Sequence, residues 1–229
     1  MTEKKNRTNA VINLSVGMID TNCYIYFNGE TKDAIIIDPG DEPEKILGAV
    51  REKGLRPGYI LLTHGHFDHI LAAQDMKEAT GAKLAVSPKD ADMLRKNGLE
   101  EFQAFLKGRF KEAKPDFLLY EGDTITLGPL SLSVIETPGH TEGSCVFRTD
   151  GILFTGDTLF YRECGRCDLS GGDYGKMLGS LKKIAGLPGD YTVLPGHGEK
   201  TTLGEERLYN PYMKDALARQ KELHPDENR

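Results

Sequence analysis

Thr63-His64-Gly65-His66-Phe67-Asp68-His69 is the stretch on which the reading of this chain turns. It carries the pattern H-x-H-x-D-H. His64, His66 and Asp68 are spaced by two, so an extended backbone points their side chains the same way. A helix that starts at Asp68, with that residue as its cap, turns His69 toward a neighbouring position. One short loop can therefore serve two adjacent cations. The apolar run Tyr59 to Leu62 leads into this loop, and the helix predicted after it runs to about Thr80, with Gly81 past its end. Strand, ligand loop and helix are how an α/β sheet presents a site at its carboxyl edge.

Three more ligand-type residues lie outward of this stretch. His140 stands in Thr137-Pro138-Gly139-His140-Thr141, Asp157 in Phe154-Thr155-Gly156-Asp157-Thr158, and His197 in Leu194-Pro195-Gly196-His197-Gly198. Each follows a glycine, which lets the backbone turn tightly enough to aim a side chain into a shared pocket. Only His224, in a polar tail, falls outside the pattern, and it reads as an exposed residue. Imidazole and carboxylate are ligands for zinc, iron and manganese. The set of five histidines, Asp68 and Asp157 is enough for two ions, and two ions favour hydrolytic chemistry. Packed together without a cation, these groups would pay for desolvation and like-charge repulsion. A divalent metal reverses that balance.

A chain of 229 residues, 38% hydrophobic and 28% charged, is long enough for one large domain with a full core. It has no apolar run of the length of a membrane span, and Met1 to Ala10 lacks the apolar region of a secretory signal. The expected location is cytoplasmic. A net charge of -6 and a pI near 5.6 argue against a nucleic-acid partner. Cys164-Gly165-Arg166-Cys167 is a lone C-x-x-C with no second pair to complete a structural zinc site, and it reads as reduced thiols in a loop.

Strands are predicted at Val11 to Val16, Asn22 to Phe27, Ala34 to Ile37, 82–87, 125–127, 130–136, 144–148, 152–155 and Thr192 to Leu194. Helical spacing marks Pro43 to Lys53 and Tyr174 to Ala185, with a short turn at Glu205 to Arg207. The expected architecture is α/β, an αββα sandwich of two mixed sheets with helices on the outer faces. It forms a single domain over residues 1–229, with a helix-rich insertion at about 88–113 that opens at Ser87-Pro88, and a carboxyl-terminal helix at about 213–223. Phe102, Phe105, Leu106 and Phe110 in the insertion read as core cover, with a wall of the active-site groove as the alternative.

H-x-H-x-D-H followed by a lone histidine, an aspartate and a last histidine resembles the metallo-β-lactamase superfamily over nearly the whole chain. The resemblance implies one metal on His64, His66 and His140, and a second on Asp68, His69 and His197, with Asp157 bridging both. It also implies a hydroxide shared between the ions as nucleophile, and Asp68 and Asp157 as catalytic carboxylates. Flavodiiron-type reductases carry Glu at the position of His66, which sets that branch aside.

Within the superfamily, Thr155-Gly156-Asp157-Thr158-Leu159-Phe160 is similar to the segment of glyoxalase II, the hydroxyacylglutathione hydrolases. Gly165-Arg166-x-Asp168-Leu169, Gly171-Gly172-Asp173 and Glu206-Arg207-x-x-Asn210-Pro211 resemble its small bacterial relatives. The expectation is a binuclear hydrolase of a small-molecule thioester, possessing two divalent ions with zinc first and iron or manganese as alternatives. Arg166 is the candidate substrate-binding residue; the competing reading has it anchoring the Gly171-Gly172 turn. Two departures stand out: Glu199 occupies a position where tyrosine is expected, and there is no room after Asn210 for the basic helical domain with which glyoxalase II grips glutathione. Rival readings are a persulfide dioxygenase with a single iron on His64, His140 and Asp157, a lactonase or β-lactamase, and a non-catalytic metal scaffold.

Overall fold

A strand that is apolar on both faces has to be covered on both. Ala34-Ile35-Ile36-Ile37 is such a strand, and all four residues are fully buried. Ile35 and Ile37 face Phe147 and Phe154 of a second sheet, while Ala34 and Ile36 face Ile46, Val50 and Met76 of outer helices. The computed structural model describes residues 8–95, 106 and 110–223, with side chains to residue 218.

The first sheet contains β1 (Asn9–Val16), β2 (Thr21–Asn28), β3 (Asp33–Ile37), β4 (Arg56–Leu61), β5 (Lys83–Val86) and β6 (Phe117–Leu118) in that spatial order. β1, β2 and β3 pair antiparallel, and β3 to β6 are parallel. Helix α1 (Pro43–Lys53) crosses from β3 to β4 and stops at Gly54, whose φ of 61° is left-handed. α2 (Phe67–Ile70) and α3 (Ala73–Thr80) cross from β4 to β5.

The second sheet is built from β7 (Thr124–Leu127), β8 (Leu130–Glu136), β9 (Cys145–Thr149) and β10 (Ile152–Gly156), with β13 (Thr192–Pro195) and β14 (Thr201–Thr202) on the far side of β10. β10 and β13 are its parallel pair. Between them lie the small hairpin β11 (Leu159–Phe160) and β12 (Glu163–Cys164), then α4 (Tyr174–Ala185). Helices α5 (Leu203–Tyr209) and α6 (Pro211–Leu223) close the chain. Met177, Leu181 and Ile184 of α4 cover the outer face of this sheet, joined by Met213 of α6. The αββα sandwich of two mixed sheets expected from the sequence is the fold observed.

Two local expectations need correction. Asp68 does not cap the helix. His66 precedes it in extended conformation, and the Asp68 carboxylate is engaged elsewhere by Thr21, His69 and His197. The helix is also not continuous to Thr80: it breaks after Ile70, where the Ala72 amide donates to the Pro39 carbonyl. Ser87-Pro88 opens a turn and a short 3-10 stretch, Ala91–Leu94, after which Arg95 is extended. Of the insertion expected at about 88–113, residues 96–105 and 107–109, with Phe102 and Phe105 among them, lie outside the described residues. Leu106 is buried against the first sheet's helical layer and Phe110 packs beside it, which fits core cover for those two.

The Glu206-Arg207-x-x-Asn210 motif has a structural role. Glu206 is fully buried, and its carboxylate accepts from Thr201 Oγ1, the Arg162 amide and Asn210 Nδ2. Asn210 Oδ1 in turn accepts the Tyr212 and Met213 amides that begin α6. Arg207 donates to the carbonyls of Ala185, Leu187 and Gly189 past the end of α4. Glu206→Ala strands three buried polar partners, and the expected loss is about 3 kcal/mol of stability, read by urea denaturation. A loss under ~1 kcal/mol would show that water replaces the carboxylate.

Candidate metal centre

Each candidate ligand follows the carboxyl end of a strand. β4 leads to His64, β8 to His140, β10 to Asp157 and β13 to His197. Four ligand-type residues come from the first sheet and three from the second, so the centre sits at the seam of the sandwich. The seam is pinned by β2. The Asn22 amide donates to the Gly196 carbonyl at 2.7 Å, and Tyr24 Oη donates to the Pro195 carbonyl at 2.7 Å. Asn22 Nδ2 reaches both Pro195 and Gly198 carbonyls. These contacts fix the loop that carries His197.

All seven residues named from the sequence converge. His64, His66 and His140 form one group whose ligand atoms lie within 4.8 Å of one another; Asp68, His69 and His197 form another; and Asp157 joins His64 and His69 in a third. The Asp157 carboxylate lies between the two outer groups, 3.4 Å from Nε2 of His69 on one side and 3.4 Å from Nε2 of His140 on the other. Two glycines make this approach possible. A Cβ on Gly196 would stand 2.1 Å from Asp157 Oδ1, and one on Gly165 would stand 1.8 Å from the Asp157 carbonyl oxygen. No side chain fits at either place.

The outward hydrogen bonds decide which nitrogen of each ring faces the centre. The Thr63 hydroxyl gives its proton to Asp38 Oδ2 at 2.6 Å, so it accepts from His64 Nδ1 at 3.1 Å. His64 Nε2 then bears the lone pair, and it is buried without a hydrogen-bond partner, as is Asp157 Oδ1. His140 Nδ1 donates to the Arg166 carbonyl at 2.7 Å, His69 Nδ1 to Asp38 Oδ2 at 3.0 Å, and His197 Nδ1 to the Ile19 carbonyl at 3.2 Å. Their Nε2 atoms all face inward. His66 turns the other nitrogen in, Nδ1, to within 2.7 Å of His140 Nε2. Orphaned buried lone pairs aimed into one place fit a cation, and the outer partner that four of the five rings have is how metal-binding histidines are oriented.

The electrostatics agree. Burial, then the neighbouring imidazoles, push His64 well below the ordinary histidine range, and burial with His140 takes His66 down to about 3. Both are neutral, as ligands must be. Burial would also depress His69, but the carboxylates of Asp68, Asp157 and Asp38 outweigh it and raise that ring well above its ordinary value. Burial would raise Asp68 and Asp157, yet His69 and the other imidazoles hold both low.

Two functional residues escaped the sequence reading. Asp38, in the left-handed region at φ 51°, orients both Thr63 and His69. Asp90 is equally buried: Oδ2 accepts from the Gly65 amide and Thr141 Oγ1, and Oδ1 from the Gly143 amide. It ties the His64–His66 loop to the His140 loop. Burial raises its pKa in spite of those hydrogen bonds. An acidic residue at a strand's end and another after Ser87-Pro88 carry no ligand spacing, so only the fold reveals them. Arg166, the candidate substrate-binding residue, lies beside the centre, but its side chain pairs with Asp168 and not with the Gly171-Gly172 turn. Asp90→Ala is expected to weaken metal retention by about 10- to 100-fold in chelator competition, with Asp90→Asn in between. Unchanged retention in a folded Asp90→Ala protein would mean that the two loops hold themselves.

Comparison with known proteins agrees with this geometry. A Mycobacterium tuberculosis protein is 40% identical over 211 residues, covering 86% of this chain and 94% of its own. A hydroxyacylglutathione hydrolase of Haemophilus influenzae, GloC, is 33% identical over 204 residues, covering 87% and 96%. Among solved structures, the B3 metallo-beta-lactamase BLEG-1 superposes with a TM-score of 0.83 at 36% identity, over 89% of this chain and 99% of that one. TTHA1623, crystallised in a di-iron-bound form, gives 0.75 at 36% identity, over 88% and 99%. No helix among the described residues is long and apolar enough to cross a membrane. Residues 16–197 match the model of the metallo-beta-lactamase superfamily, and the chain belongs to that superfamily.

Proposed function

We propose that the chain is a binuclear metal-dependent hydrolase whose substrate is an acyl thioester of the hydroxyacylglutathione type. The observation that carries this reading is the pair of three-residue ligand groups with Asp157 between them. His64, His66 and His140 would hold one ion, Asp68, His69 and His197 the other, and Asp157 would reach both. When bound, two divalent ions supply a water that ionises near neutral pH and a Lewis acid for the carbonyl. Zinc, iron and manganese all suit this donor set.

The chain's own residues account for the rest. Thr63, Asp38, Ile19 and Arg166 fix four imidazole rings through their outer nitrogens, so the inward atoms need no reorganisation. The Thr21 hydroxyl donates to Asp68 Oδ2 at 2.9 Å and holds that carboxylate toward His197. A thiolate leaves without a strong acid, which suits a centre whose carboxylates are already committed to histidines. The name carried by the Haemophilus relative supports the choice of thioester over lactone or lactam.

The test is hydrolysis of S-lactoylglutathione beside metal analysis of the same sample. Two ions per chain are expected, with turnover lost on chelation and restored by zinc or ferrous iron. Asp157→Ala should lower kcat by about 100-fold or more, since loss of an outer-shell partner alone costs up to that much. Full turnover in a metal-replete Asp157→Ala protein would sink the assignment. One iron per chain with sulfite production from a persulfide would replace it by the dioxygenase reading.

A further inference from the structure

Beyond the ligand groups, Gly165-Arg166-Cys167-Asp168 forms part of the wall of the centre. Gly165 abuts Asp157 and lies against the His140 ring, and the Arg166 carbonyl takes the His140 Nδ1 proton. The Arg166 side chain nonetheless reaches solvent, with 61% of it exposed. Its Nε and Nη2 donate to Asp168 Oδ1 and Oδ2, both at 2.7 Å. Fork-on-fork pairing of this kind saturates one edge of a guanidinium. The hydrogen bonds and charge of Arg166 pull the Asp168 carboxyl down to about 2, so the pair stays ionised on both sides at any working pH.

Neighbouring cations are neutralised in the same manner. Lys176 pairs with Glu142, two residues past His140. Arg162, five residues past Asp157, lies 4.3 Å over the Tyr209 ring and pairs with Glu205 at 3.2 Å. On the side of His197, Met18, Ile19 and Tyr161 are exposed. The Ile19 carbonyl orients His197, and Tyr161 follows Phe160, whose ring lies 6.2 Å from that of His197. Three cations beside the centre are thus paired, and three exposed apolar side chains stand on the side of His197.

We propose that Asp168 tempers the charge selectivity of the site: by occupying Arg166 it weakens the pull of that residue on a carrier carboxylate, so that the site discriminates less between glutathione thioesters and uncharged ones. The inference rests on the thioester reading and deepens it. A carboxylate approaching Arg166 has either to displace Asp168 or to share the guanidinium with it, two like charges on one cation. Asp168→Asn keeps the side chain's shape and leaves the Arg166 charge unopposed.

The experiment compares kcat/KM for S-lactoylglutathione, which carries two carboxylates, with that for the uncharged S-lactoyl-N-acetylcysteamine, using metal-loaded wild type and Asp168→Asn. The ratio of the two values should move toward the glutathione substrate by about fivefold in the variant, the range of an exposed ion pair. The gain should fade as salt is added, and it should vanish in Arg166→Gln/Asp168→Asn. A ratio that stays constant or moves the other way overturns the proposal and leaves Asp168 a brace for Arg166. Calorimetric titration of S-methylglutathione into the same metal-loaded proteins needs no turnover. Tighter binding to Asp168→Asn supports charge selectivity, and equal or weaker binding overturns it. If neither thioester is hydrolysed by any of the proteins, the thioester reading fails while the titration still decides the role of Asp168.

Discussion

The Asp38 carboxylate is the interaction on which the rest of the centre depends. A carboxylate this deeply buried is costly unless its oxygens are hydrogen-bonded. Here one oxygen takes the Thr63 amide and the other takes the Thr63 hydroxyl and the His69 ring. Those three bonds join the end of β3 to the loop after β4. They also set the tautomer of His69 and, through Thr63, that of His64. Asp90 repeats the device between the His64–His66 loop and the His140 loop. Two buried carboxylates that face no cation themselves therefore aim the groups that do.

The centre also depends on how two sheets meet. Neither sheet owns a complete ligand group, because His140, Asp157 and His197 come from the second and the others from the first. Tyr24 and Asn22 hold the β13 loop from across the seam. The register of β10 against β13 shifts between Phe154 and Gly156, which pairs Gly156 with Pro195 and sets Asp157 and His197 side by side. Packing of Phe147 and Phe154 against Ile35 and Ile37 is thus a precondition of ligand geometry as well as a source of stability.

Much of this was legible in the sequence because it is written in residue types that are rare elsewhere. Glycine-flanked His140, Asp157 and His197 and the H-x-H-x-D-H loop announce themselves, and the strands that deliver them carry clear apolar runs. Asp38 and Asp90 do not, since an aspartate that orients a ligand looks like any turn aspartate until the fold places it. Asp68 misled for a related reason. Its position suits a helix cap, but two imidazoles and a threonine hydroxyl compete for the same oxygens and win. The Glu206-Arg207-x-x-Asn210 motif was visible as a motif, yet only its burial shows that it fastens α5 and α6 to α4 and β12.

The ligands are also dispersed along the chain, and that dispersal fixes an order of events during synthesis. The group with His64, His66 and His140 has all of its members only after the ribosome has passed residue 140. The group with His197 waits for nearly the whole second sheet. A nascent chain therefore offers no finished group for a cation, and an ion that binds only the assembled groups raises the stability of the folded protein in proportion to the logarithm of its concentration. Spreading seven ligand-type residues over four strand ends leaves every group incomplete until both sheets of the sandwich have formed.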